Sequence, residues 1–183
     1  MKRIFLSLVC FCFSTALFAQ KLLPQIKDGT KMQASAFVQG QEIPVMYTIK
    51  STKAPITFSW SVDSYGDGEF VMSEKALASA TSLFLAQPEP GSNKLSDSET
   101  YGIISKAAYK ALIDSQGFTF NGIKFKTKSP DPNPMKIGGK EIDATRIASE
   151  DGKIELWILN NPDFPLILQT AGMPIDIVVT EIK

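Results

Sequence analysis

Across residues 56–63 the chain alternates apolar and polar side chains without a break: Ile56, Phe58, Trp60 and Val62 fall on one side, Thr57, Ser59, Ser61 and Asp63 on the other. Successive strand side chains point to opposite faces, so this period dictates a strand with one face on a core and one toward water. Val45, Tyr47 and Ile49 repeat the pattern just upstream, and Gly40 separates them from an earlier candidate strand at residues 31–38. Pro44 has no N–H to give to a ladder, which predicts that the second strand starts late or lies at an edge. A meander is the simplest path through the three.

The clearest turn is Phe118-Thr119-Phe120-Asn121-Gly122-Ile123-Lys124-Phe125. Asn-Gly supplies the two positive φ angles of a two-residue hairpin, which sets Phe120 opposite Ile123 and Phe118 opposite Phe125. A second hairpin is centred on Asp151-Gly152 and joins a strand over 141–149 to one over 153–160. Its register places Arg146 across from Trp157, a pairing suited to stacking a cation on an aromatic face. Two more strands, 166–170 and 175–182, close the chain on either side of Gly172 and Pro174.

Two stretches break the β pattern. Ser73 can cap a short helix with Glu74 in its first turn and Ala76, Leu77, Ala80 and Phe84 along one side. Ser105 can cap a second, with Ala108, Tyr109 and Leu112 as its apolar stripe and Gly117 as its end. Residues 87–99 and 129–139 are rich in Pro, Gly, Ser and Asn and are expected to be surface connections, because neither half of the chain would own a complete core. The expected architecture is α+β: a mostly antiparallel meander, a curved sheet or half-barrel, with one or two short helices packed on it.

At the N-terminus, Lys2 and Arg3 precede an almost unbroken apolar run from Ile4 to Phe18, followed by small Ala19. That run is shorter than the roughly 18 residues a membrane-spanning helix needs, and the layout is that of a secretory signal. Cleavage is expected after Ala19, making 1–19 a signal peptide and 20–183 a single domain, although Leu17 stands where a small residue is preferred. An acylated cysteine does not fit, since Cys10 and Cys12 both lie inside the apolar run; an uncleaved anchor is the other alternative. Cleavage would remove both cysteines, so the expected location is the periplasm or outside the cell, with stability drawn from an ordinary core instead of disulfides.

The chemistry is narrowed by what the chain lacks. It has no histidine, the usual base near neutral pH and the commonest metal ligand. Without cysteine, thiol catalysis and thiolate zinc sites are gone from the mature part. No Gly-x-Ser-x-Gly elbow occurs, and no serine there is followed three residues later by lysine. Asp63-Ser64-Tyr65-Gly66 misses the aspartic-protease signature by one residue. Asp63, Asp67, Gly68 and Glu74 match four positions of a calcium loop, but Tyr65 occupies a ligand position and a strand precedes it where a helix should. The carboxylates Glu69, Glu74, Asp97, Glu99, Asp143 and Glu155 are scattered, and glycoside cleavage would need two of them facing across a cleft. Lys124, Lys126 and Lys128 line one strand face, which is a solvated face or a contact for phosphate or anionic lipid. The expectation is no enzyme, no catalytic residue, no cofactor and no metal. With signal cleavage the mature chain carries 17 basic against 19 acidic residues, a balance that argues against nucleic acid as a partner.

Three stretches carry a resemblance: Gly68-x-Phe70-x-Met72 followed by Ala76, Leu77 and Ala80; Ser96-Asp97-x-Glu99-Thr100 leading to Ser105, Tyr109 and Leu112; and Leu156-Trp157-Ile158-Leu159-Asn160-Asn161 with Pro165-Leu166-Ile167. With a leader ending in Phe-Ala-Gln, the chain resembles uncharacterised exported β-rich proteins of Bacteroidota-type Gram-negative bacteria. The resemblance brings no catalytic residues. The plan is also similar to that of lipoprotein-carrier-like half-barrels, which implies a concave apolar sheet face holding a hydrophobic or envelope-derived ligand. Phe58, Trp60, Phe118, Phe120 and Phe125 are the expected ligand-binding side chains, and the same alternation is equally what a closed core requires. Met32, Met46, Met72, Met135 and Met173 are gap-fillers that also suit an adaptable pocket. The alternative is an envelope protein that binds another protein through loops or a sheet edge, with no small ligand. Oligomeric state is not written in the sequence.

Overall fold

The computed structural model describes residues 21–128 and 134–183. The expected signal segment and residues 129–133 of the second Pro-rich loop lie outside them. The first alternating segments form β1 (Lys31–Val38), β2 (Gln41–Ser51) and β3 (Ile56–Val62), followed by β4 (Gly66–Met72), each antiparallel to the one before. Helix α1 (Glu74–Ser79) and the short strands β5 (Ser82–Leu83), β6 (Gly91–Lys94) and β7 (Glu99–Thr100) lead to α2 (Lys106–Ser115). Strands β8 (Gly117–Phe120), β9 (Ile123–Thr127), β10 (Lys136–Ile137), β11 (Lys140–Glu141), β12 (Ala144–Ser149), β13 (Glu155–Leu159), β14 (Ile167–Ala171) and β15 (Asp176–Ile182) complete the chain.

Eleven strands make one sheet in the order β6-β4-β3-β2-β1-β15-β14-β13-β12-β9-β8. Every neighbouring pair is antiparallel except β4 and β6. Two meanders therefore run outward from a seam in which the first strand pairs with the last, Met32 opposite Ile182 and Phe37 opposite Asp176. Strand twist accumulates across a sheet this wide and forces it to curl. Register shifts at Gln33/Ala34, Ile49/Ser51 and Trp157/Ile158 add local bends, the usual effect of an extra residue on one strand. The result is a curved α+β sheet with two short helices packed on it.

The hairpin expected at Asn121-Gly122 forms with φ of 51° and 73° at the two turn residues and with Phe118 opposite Phe125 and Phe120 opposite Ile123. Arg146 pairs with Trp157, and its guanidinium carbon lies 5.0 Å from the ring centre. Both helix caps form: Ser73 Oγ accepts from Ala76 N–H at 3.1 Å and Ser105 Oγ from Ala108 N–H at 3.3 Å. Ser105, fully buried, also donates to the Ala80 carbonyl at 2.8 Å and so ties the start of α2 to the end of α1.

Several expectations shift by a few residues. Strand β2 starts before Pro44, but it pairs with β3 only from Met46 onward, so Pro44 sits on an overhang that has β1 as its single neighbour. The second helix ends in left-handed Gln116, not at Gly117. Gly117 instead opens β8, where an added Cβ would lie 2.5 Å from the Phe125 carbonyl oxygen. Phe84 is beyond the last turn of α1, and the loop over 87–99 contains an edge strand, β6. Residues 141–149 are two strands, because Glu141 pairs with Lys136.

Buried side chains gather in two clusters. The larger lines the inner faces of β1 to β4 and extends to Leu166, Leu168 and Val179. The second packs Ala108, Tyr109 and Leu112 of α2 on Phe118, Phe120, Phe125, Ile147, Leu156 and Ile158. Strand β13 is shared: Leu156 and Ile158 belong to the second cluster, Trp157 and Leu159 to the first, so both its faces are buried.

Candidate functional site

The concave face of β1, β2, β3, β14 and β15 is not filled to its edge. Ala36 on β1, Ile43 and Val45 on β2, Phe58 and Trp60 on β3 and Ile177 and Val179 on β15 leave a cavity of about 460 Å³, within the range of small-molecule sites. Residues 83–88 roof it: Leu83, Phe84, Leu85, Ala86, Gln87 and Pro88 all face the space.

That strap is pinned at both ends and spans the gap between. At its start, Phe84 N–H donates to the Thr100 carbonyl at 2.8 Å, while the Asn121 side chain accepts from Leu83 N–H at 2.9 Å and donates to the Leu83 carbonyl at 3.1 Å. At its end, the Tyr65 hydroxyl donates to the Pro88 carbonyl at 2.7 Å. Tyr65 stacks on Trp60 with ring centres 5.8 Å apart, so the β3–β4 turn holds the roof and covers the floor together.

The wall is apolar with few polar groups. Of the 28 described residues that line it, only Asp63 carries a formal charge. Tyr47 and Tyr101 share a hydroxyl hydrogen bond of 2.7 Å, and the Tyr101 ring stacks on Phe70 at 3.8 Å between centres. Burial pushes the Tyr47 hydroxyl up to about 12, only partly offset by its bond to Tyr101. Burial also raises Tyr101 well above its ordinary value, with the Tyr47 hydroxyl adding to it. Both stay neutral across the physiological range. Trp60, 2 % exposed, is the one described residue with a buried side-chain donor, Nε1–H, that finds no partner. Leaving such a group unpaired costs about 1–3 kcal/mol.

The five aromatic residues expected to bind a ligand are divided by the fold. Phe58 and Trp60 line the cavity. Phe118, Phe120 and Phe125 lie under α2 in the second cluster, where Phe118 meets Phe120 edge-on at 5.6 Å and Phe125 at 5.7 Å. Met32 and Met173 reach the cavity, Met72 and Met135 are in the core, and Met46 is on the surface.

What alternation alone did not reveal is the contribution of residues 83–88 and of Tyr101, Gly102 and Met173, which, apart from Leu83 at the end of β5, come from connections between elements. The run Leu83-Phe84-Leu85-Ala86 is the signal that was present: four apolar residues in a row where a surface loop would be polar.

Most of the remaining polar candidates have local partners. Asp97 accepts from Ser73 at 2.7 Å and pairs with Lys75 at 3.4 Å, and these contacts, the serine first, hold its carboxyl below the usual range. Glu155 pairs with Arg146 at 2.7 Å, Asp143 accepts from Asn160 at 2.7 Å and Glu99 from Ser96 at 2.9 Å. Asp67 and Gly68 are paired residues of β4, so the calcium-loop spacing is spent on a hairpin. Among the described residues no group of three or more His, Cys, Asp or Glu could hold a metal ion. Lys124 and Lys126 border a shallow depression beside β8, with Lys126 paired to Glu150 at 3.3 Å. No described helix is long and apolar enough to cross a membrane.

Comparison with protein-family models, with curated proteins and with solved structures finds no match to this chain.

Proposed function

We propose that this chain is a non-enzymatic carrier that binds an apolar, envelope-derived ligand between its concave sheet face and the strap at residues 83–88. The observation that carries the reading is the cavity itself: about 460 Å³ of space with one charged residue among the 28 that line it. Apolar surface of this kind is hydrated at a cost that an apolar occupant removes. Interiors are otherwise close-packed, so an open space behind a row of large side chains is not what a core built for stability alone would keep. The strap supports the reading too, because among the described residues its hydrogen bonds are made at its two ends, by Leu83 and Phe84 and by Pro88. The leader pattern at 1–19 of the sequence supports a site of action in the periplasm or outside the cell.

The test is native mass spectrometry of the mature protein purified from a Gram-negative periplasm, followed by organic extraction. A discrete co-purified apolar mass, lost on denaturation, is the expected result. A protein that arrives empty and binds no neutral hydrophobic probe such as N-phenyl-1-naphthylamine would remove the carrier reading and leave binding of an envelope protein through loops or sheet edges.

A further inference from the structure

Among the described residues none that lines the cavity is Lys or Arg, and the chain contains no histidine. A free carboxylate carried inside would therefore be buried without a cationic partner, which is among the most costly arrangements a protein can hold. An anionic amphiphile would have to leave its head group at the mouth.

The mouth is set by the sheet. The wall includes Val38 and Ile43 beside the β1–β2 turn, Val62 to Tyr65 of the β3–β4 turn, and Met173, Pro174 and Ile175 of the β14–β15 turn. Pairing of Val38 with Gln41, Met46 with Ser61 and Phe37 with Asp176 brings these three turns to one end of the sheet. The Tyr65–Pro88 hydrogen bond adds the end of the strap to the same place. Residues 39–43, 63–67, 85–91 and 172–176 make up this end, and their charged members are Glu42, Asp63, Asp67, Glu89 and Asp176. All five are acidic in a chain that balances 19 acids with 19 bases. Among the described residues none of the five stands in an ion pair. Lys153, whose backbone passes Gly172, has its ammonium 3.5 Å from Asp151.

We infer that the cavity selects its occupant by charge, accepting amphiphiles with an uncharged or cationic head group and turning away anionic ones such as free fatty acids. The inference rests on the carrier reading and adds a ligand class to it. Asp63, the one charge on the cavity wall, is the residue closest to the discrimination, and the other four acids extend a negative field over the opening.

The experiment is displacement of N-phenyl-1-naphthylamine from the mature full chain by dodecylamine, dodecanol and dodecanoate, which share a chain length and differ in head-group charge. In low-salt buffer dodecylamine and dodecanol displace the probe, and dodecanoate is weaker than dodecylamine by roughly tenfold, the scale of a few screened unit charges. The gap narrows in about 1 M NaCl, where the screening length falls to about 3 Å. Asp63→Lys, at an exposed turn position, shifts the preference toward dodecanoate. Dodecanoate binding as tightly as dodecylamine in low salt, with the probe bound normally, overturns the charge selection while the carrier reading stands. Failure of the probe and of all three amphiphiles to bind sinks the carrier reading, and this inference with it.

Discussion

Replacing Ala36 by Phe separates a real cavity from an ordinary core. Ala36 is 6 % exposed on β1, paired with Ile43 and Ile177, and all three line the space. In a close-packed interior the added ring would force strain of about 1–3 kcal/mol. Here it enters open volume, and burying a Phe side chain contributes about 1.5–3 kcal/mol. The two effects have opposite signs, and with about 460 Å³ to occupy the second wins. Ala36→Phe is therefore expected to leave stability unchanged or raise it by up to about 2 kcal/mol. Phe also suits a strand. Ala76, fully buried on α1 and away from the cavity, is the control, and Ala76→Phe should lose about 1–3 kcal/mol. Urea unfolding of both variants reads the difference at constant m. The same Ala36→Phe protein should bind N-phenyl-1-naphthylamine poorly while remaining folded. Equal destabilisation by the two substitutions would show that the space is not available to a side chain, and the argument for a binding cavity would fail with it.

Three further outcomes follow from the same contacts. Asn121→Ala removes a left-handed turn residue and both side-chain bonds to Leu83, and should cost about 1–3 kcal/mol in urea unfolding; Asn121→Gly restores the turn and recovers only part of it. Tyr47 and Tyr101 have raised folded values, so the stability they contribute is complete below the unfolded tyrosine value of about 10 and is lost as pH rises through the folded ones; thermal unfolding should fall steeply between about pH 10 and 12, and less steeply in a Tyr47→Phe, Tyr101→Phe double variant. Gly172→Ala drives a Cβ into the Lys153 carbonyl oxygen at a φ of 82°, so the β14–β15 turn must move, and a drop in melting temperature with weaker probe binding is expected; a variant indistinguishable from the parent would contradict the turn geometry.

Signals confined to a few neighbouring residues were legible in the chain. Asn-Gly allows one kind of hairpin, which fixes the register of Phe118 and Phe125; Ser73 and Ser105 cap because a hydroxyl there meets orphan amides within one turn; period-two alternation assigns Phe58 and Trp60 to the inner face. These are short-range effects of sterics and hydrogen-bond supply, and they do not depend on the rest of the molecule. Alternation says which way a side chain points without saying what it meets. Phe118, Phe120 and Phe125 share the pattern of Phe58 and Trp60, yet α2 covers the first group and only a strap spans the second.

Tertiary structure alone settled the partners. Pairing of β1 with β15 joins residues as distant in sequence as Met32 and Ile182, and no local signal encodes a contact made over such a separation. That seam joins the two meanders into one wide sheet, its twist makes the concave face, and residues 83–88 become a roof because Thr100, Asn121 and Tyr65, from other parts of the chain, hold them. The sequence by itself determined the elements and their apolar faces, since each follows from the chemistry of adjacent residues. Which faces were closed by packing and which one was left open was decided by long-range pairing, where many local solutions compete and only the assembled sheet selects among them.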